Sequence, residues 1–219
     1  MQEGRYKIPV VEKILSTNDQ LAEENARRFD RLGVTAVNIM AAPGGGKTCL
    51  ILRTIEALRG KRRIGVIEGD VASQVDSQQI AAAGVPVVQI NTGGQCHLDA
   101  NMVRGALDHL PLEEIDLLLI ENVGNLICPV EFKLGEHRRV AITSLPEGDD
   151  KPYKYPAIFQ AADAMVINKL DLLPYLDFNL PAFRELVRAL NPDVALFDLS
   201  CKTGQGIEEW AVWLMDAST

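Results

Sequence analysis

Three groups of residues in this 219-residue chain have the types and spacing to do chemistry. The first is Gly44-Gly45-Gly46-Lys47-Thr48, within AAPGGGKTCL. Consecutive glycines let backbone N–H groups converge on an anion without Cβ clashes. Lys47 brings positive charge to the β- and γ-phosphates of a nucleotide, and Thr48 offers a hydroxyl to Mg²⁺. Thr48 and Cys49 open an apolar run with helical spacing, so the positive helix terminus adds to the attraction. The full pattern for such a loop is G-x-x-x-x-G-K-S/T. Ala41 replaces its first glycine, a mild departure because the later glycines matter most.

The second group reads a base. Asn168-Lys169-Leu170-Asp171 follows the apolar run AMVI and fits N-K-x-D. The Asp171 carboxylate can accept two N–H bonds from the N1 and exocyclic N2 edge of guanine. Adenine has no such donor pair and would leave the carboxylate unpaired, which is how polar sites reject analogues. Lys169 can lie along the base plane. Ser200-Cys201-Lys202 resembles the loop whose backbone amide meets guanine O6. Guanine is therefore the expected base.

The third group is Cys96-His97 in NTGGQCHLDA and Cys128 in ENVGNLICPVEF. Two thiolates and an imidazole suit Zn²⁺, Ni²⁺ or copper. The plainer reading makes Cys96-His97 a helix start and Cys128 a small buried residue. Cys128 lies seven residues beyond Glu121. Glu121 ends the run DLLLIE, and by position it would reach Mg²⁺ through water, with Gly124 sensing the γ-phosphate. Asp70 and Asp76 are further Mg²⁺ candidates. Asp70 is favoured to touch Mg²⁺ or orient the attacking water, with a helix N-cap as its alternative. Asp76 reads more readily as a surface helix residue.

Positioning these groups requires strands that end where the motifs begin. Apolar runs at 36–40, 64–69, 85–90, 116–122, 138–145, 163–169 and 193–199 are continuous rather than alternating. Strands buried on both faces of a parallel sheet have this character. Helical patterns separate them at 48–58, 73–83, 98–109, 181–190 and 207–215. The expected fold is therefore α/β, a P-loop NTPase with a doubly wound, mostly parallel seven-stranded sheet and helices on both faces. Residues 8–32 are expected to form a helical N-terminal extension (1–32) packed on the domain (33–219). Ser16-Thr17-Asn18 is its expected break, and Gly33 its stop. PEGDDKPYKYP, at 146–156, reads as a long mobile loop.

The chain carries 22 Lys and Arg against 30 Asp and Glu, a formal net charge of -8. That disfavours nucleic acid or an acidic membrane surface as the main partner. The four cysteines form no C-x-x-C pair, no run of 18 apolar residues occurs, and the N-terminus lacks an apolar signal core. A cytoplasmic location is expected.

The stretches PGGGKT, INTGGQCHLDA, LLLIENVGNLICP, EGDDKPYKYP, VINKLDLLP and SCKTGQG resemble, in order, the nickel-inserting GTPases of nickel–iron hydrogenase maturation, the HypB type. INTG-x-x-CHLDA and ENVGNL-x-CP are specific to that family. The related urease-maturation GTPases carry Cys-Pro-His instead. The resemblance implies slow GTP hydrolysis to GDP, with Lys47, Thr48, Glu121, Asn168 and Asp171 on the nucleotide. It implies Cys96, His97 and Cys128 as a nickel or zinc site at the interface of a homodimer formed on GTP binding. It further implies a small nickel-binding partner and, indirectly, the hydrogenase large-subunit precursor. Lys154, more than Lys151, is expected to cross the dimer and neutralise γ-phosphate charge. Many family members carry an N-terminal cysteine-rich motif or histidine tract. Here there are three histidines and no cysteine before Cys49, so Cys96, His97 and Cys128 must do any metal work. A urease-type nickel GTPase and a GTPase with purely structural zinc are the alternatives.

Overall fold

The computed structural model describes residues 10–70 and 75–216. The helical positions expected at 8–9 and 73–74 lie outside the described residues. The chain runs α1 (Val10–Leu32), β1 (Thr35–Ala41), α2 (Lys47–Ala57), β2 (Ile64–Asp70), α3 (Val75–Ala82), β3 (Val87–Asn91), α4 (Ala100–Leu107) and β4 (Leu117–Glu121). It continues through α5 (Cys128–Glu131), β5 (Arg138–Ser144), α6 (Lys151–Lys154), α7 (Pro156–Ala161), β6 (Ala164–Asn168), α8 (Leu180–Leu190), β7 (Ala195–Asp198) and α9 (Ile207–Asp216). The seven strands form one sheet in the order β3-β2-β4-β1-β5-β6-β7, with every neighbouring pair parallel. The expected doubly wound sheet is present.

Alternation along the strands sorts two cores. Val37, Ile39, Leu117, Leu119, Val140 and Val166 face α2 and α9, where Trp210 is fully buried. Ala36, Ile67, Leu118 and Ile120 face the other way, against α1 and α4. Met40, Ala141, Met165 and Ile167 share that second face and pack on α7 and α8. Register then aligns the carboxyl ends: Glu121 of β4 stands opposite Ile39 of β1 on one side and Glu68 of β2 on the other.

Two expectations are corrected. The helix does not break at Ser16-Thr17-Asn18; α1 runs through it. Asn18 is buried and works across the fold, donating from Nδ2 to the Lys133 carbonyl at 2.9 Å and accepting from the Ala100 N–H at 2.9 Å. Those tertiary bonds outweigh its weak helix propensity. Nor is 146–156 a structureless loop. Glu147 closes a 3₁₀ turn by accepting from the Ser144 N–H at 2.9 Å and its hydroxyl at 2.8 Å, and α6 and α7 follow. Pro152 and Pro156 stand in their first turns, where a missing N–H costs nothing. Gly33 does end α1, at φ 67°, with the Val34 N–H returning to the Phe29 carbonyl at 3.0 Å.

Candidate functional site

Between β1 and α2 the backbone turns on Gly44 (φ 78°) and Gly46 (φ 99°), conformations open to glycine. Gly46 caps α2, leaving the first N–H groups of the helix directed into a cleft of about 370 Å³. Lys47, Thr48, Cys49, Asp76, Gln79 and Glu121 line that cleft with the glycines. Gly45 is packed against Ala41: a Cβ there would lie 3.0 Å from the Ala41 Cβ. Ala41 is thus compatible with the loop only while Gly45 stays bare.

Opposite the loop stands Glu121. Thr48 Oγ1 donates to its Oε1 at 2.9 Å, and Lys47 Nζ lies 3.9 Å from the same oxygen. Burial pushes its carboxyl up to about 7, with Lys47 and the Thr48 bond opposing the rise. Next to it in the sheet is Glu68, pushed up to about 8 by burial first and then by Glu121, Asp70 and Asp76. Asp70 ends β2, two residues beyond Glu68 and on its face. Asp76, read from sequence as a surface residue, instead lines the cleft from the first turn of α3. Glu68 was missed. Its signal was a charged residue inside IGVIEG, a run whose neighbours are all buried. Gly124 lies against the loop: a Cβ there would meet Pro43 at 3.0 Å.

The N-K-x-D and Ser200-Cys201-Lys202 motifs converge on the same loop. Asn168, buried at the end of β6, donates to the Gly45 carbonyl at 3.1 Å, and its Oδ1 accepts from the Lys169 and Cys201 N–H groups at 2.7 and 3.2 Å. Lys169 (φ 62°) reaches back, its Nζ donating to the Gly44 carbonyl at 2.8 Å. The Ser200 hydroxyl donates to Asp171 Oδ1 at 2.5 Å, which orients the carboxylate. Arg53 of α2, also missed, holds the loop from beneath: Nε and Nη2 donate to the Cys201 and Lys202 carbonyls at 2.6 and 3.2 Å. Cys201 is buried and its thiol is pushed up to about 12, by burial and then by the neighbouring Cys49.

Cys96, His97 and Cys128 come together. Their ligand atoms all lie within 4.8 Å of one another, Cys96 Sγ standing 3.1 Å from Cys128 Sγ and 3.6 Å from His97 Nδ1. Burial holds His97 below its ordinary value, which keeps the imidazole neutral and ligand-competent. The bond from Cys96 raises the Cys128 thiol, so metal binding there must displace a proton. The His97 ring packs on Phe132 at 3.9 Å. Buried Asn122 ties this cluster to β4. Its Oδ1 accepts from the Leu98 N–H at 3.0 Å, and its Nδ2 donates to Asn38 Oδ1 at 3.1 Å. Lys154 stands exposed, ion-paired with Asp150 of its own turn, while Lys151 approaches Glu147 at 3.9 Å.

A parallel sheet with a glycine loop running into a helix, and an acid at the end of the adjacent strand, defines a P-loop nucleotide-binding protein. Residues 35–198 match the CobW/HypB/UreG nucleotide-binding domain. The hydrogenase maturation factor HypB of Azotobacter vinelandii is 50% identical over 205 residues, covering 94% of this chain and 68% of that protein. The crystal structure of hydrogenase maturation factor HypB from Archaeoglobus fulgidus superposes with a TM-score of 0.87 at 43% identity, covering 93% of this chain and 100% of that one. That of HypB from Helicobacter pylori in complex with nickel gives 0.88 at 37%, covering 92% and 95%. The chain belongs to the HypB family of hydrogenase maturation factors. No helix among the described residues is long and apolar enough to cross a membrane.

Proposed function

We propose that the chain binds and slowly hydrolyses GTP, and that it uses the nucleotide state to control a Cys96-His97-Cys128 site that carries nickel to the hydrogenase maturation machinery. The observation that carries this reading is one short segment. Glu121, bonded to Thr48 of the phosphate loop, and Cys128, in contact with Cys96, bracket residues 122–127. A segment with one end at the phosphates and the other at the thiols transmits a change at either without a long path. The nickel complex of the Helicobacter pylori relative supports nickel as the cargo.

In this reading the Gly44–Gly46 amides and Lys47 hold the phosphates, and Asp171, oriented by Ser200, selects guanine. Thr48, Asp70, Asp76 and Glu121 would hold Mg²⁺. The residues fit that ion, because Glu121 is buried with Oε2 lacking a hydrogen-bond partner and its other oxygen already paired with Thr48. Mg²⁺ held by these residues would supply positive charge against the negative charge that develops on the phosphates. Asp70 orients the attacking water. A three-ligand metal site leaves a fourth position to water or to a second copy of the chain, so GTP-dependent dimerisation would complete it. Lys154 then reaches across the dimer. A small nickel-binding protein receives or supplies the metal, the hydrogenase large-subunit precursor is served indirectly, and the location is the cytoplasm.

The test is to titrate Ni²⁺ into the protein loaded with GDP and with a non-hydrolysable GTP analogue, recording oligomeric mass on the same samples. The reading requires dimer mass and altered Ni²⁺ affinity with the analogue. Equal affinity in both states would overturn the coupling and leave a structural metal site.

A further inference from the structure

We propose that Glu68 is a positioning carboxylate of the magnesium–nucleotide site, accepting hydrogen bonds from the metal's water shell beside Glu121. The inference rests on the reading of the cleft as a magnesium–nucleotide site and extends it to a residue outside the family motifs quoted above. Three observations carry it. Glu68 is 1% exposed, and its Oε2 has no hydrogen-bond partner; Glu121, 4% exposed, has an Oε2 in the same condition. The two residues are direct neighbours in the β2–β4 register, on the face that α2 covers. Asp70 and Asp76 add further negative charge from β2 and α3, and Lys47 is the cation beside the group.

A carboxylate serves packing badly at such a position. Ile64 and Val66 occupy the same face of β2 as aliphatic side chains, and a third aliphatic would bury more surface at no desolvation cost. Two neighbouring buried acids, each with a partnerless oxygen and one of them bonded to Thr48 of the glycine loop, are instead complementary to donors that arrive with a ligand. Mg²⁺ supplies such donors, because it dehydrates reluctantly and is held through a few carboxylates and phosphates while keeping several waters. Outer-shell acceptors of this kind orient what the metal binds and are costly to remove.

Glu68→Gln keeps the shape and replaces an ionisable carboxyl with a neutral amide, so the fold is retained. The full chain and the variant are each titrated with MgCl₂ from EDTA at fixed fluorescent GDP, so that each variant's own magnesium-free affinity is its starting point. The Mg²⁺ concentration for half-maximal tightening is read. The expected result is a rise of about tenfold or more in Glu68→Gln, the usual range for a lost outer-shell partner. Glu68→Leu, which has no acceptor, should rise at least as far, and circular dichroism establishes that both variants are folded. Half-maximal Mg²⁺ within twofold of wild type in both folded variants would overturn the proposal and leave Glu68 a buried structural acid. A wild-type chain that fails to bind GDP would overturn the nucleotide reading itself, and this inference with it.

Discussion

At Gly46 there is no space for even one carbon. A Cβ would stand 2.3 Å from Asn168 Nδ2, at a φ of 99° that other residues rarely adopt. Gly46→Ala is expected to push Asn168 off the Gly45 carbonyl and to lower GDP affinity at least tenfold, with strain of about 1–3 kcal/mol read as a lower melting temperature. Asp171→Asn should act on selectivity instead. An amide can donate to the C2 carbonyl of xanthine where the carboxylate had accepted from the guanine amine. Competition binding should show GTP losing at least tenfold and xanthosine triphosphate gaining; an unchanged ratio would refute the base assignment. The acids make a third prediction. Glu121 and Glu68 titrate near 7 and 8 in the folded chain but near 4.3 when unfolded. Between those values the folded state holds protons that the unfolded state has shed, so stability falls as pH rises, by up to roughly 1.4 kcal/mol per pH unit per group. In EDTA without nucleotide, melting temperature should drop from pH 6 to pH 8 and level off above. Paired acids such as Asp116, held low by Arg63, stay charged throughout that window and do not alter the slope.

At the scale of elements, the motifs were legible because each is contiguous and each strand ends where its motif starts. Asn168 and Lys169 could be read as base-side residues, yet their bonds to Gly45 and Gly44 join segments more than 120 positions apart, which spacing does not encode. Arg53 and Glu68 escaped for the same reason: their significance lies in a neighbour across the fold. Asn18 looked like a breaker because its propensity was visible and its partners on Lys133 and Ala100 were not. The 146–156 segment looked like a loop because its helices are only one or two turns long and its organising contact is Glu147 with Ser144. Asn122 provides the test at this scale. Asn122→Ala leaves the Leu98 N–H and Asn38 Oδ1 buried without it, at a cost of roughly 2–4 kcal/mol. Chemical denaturation should show that loss. Zn²⁺ or Ni²⁺ affinity should weaken in the folded fraction as the Cys96-His97 loop loosens.

Across the whole molecule, the strand order places β4 between β1 and β2, so one strand borders both the phosphate loop and the acid pair. The candidate site residues gather at the carboxyl ends of the strands, while α1 and α4 cover one face of the sheet. Cys96→Ala and Cys128→Ala remove thiols at that edge without touching either core. Each is expected to lower metal stoichiometry measured by mass spectrometry while GDP affinity in EDTA stays near wild type; a parallel loss of both would mean that the thiols are structural.

Any coupling carried by the segment from Glu121 to Cys128 is reciprocal. Linkage between two sites has no direction. Whatever factor GTP applies to metal affinity through these eight residues, the metal must apply to GTP affinity in full. A chain that releases its ion more readily after hydrolysis must, by the same factor, favour GTP over GDP less once the ion has gone. Cargo status would therefore set nucleotide occupancy, and an empty carrier would be self-resetting.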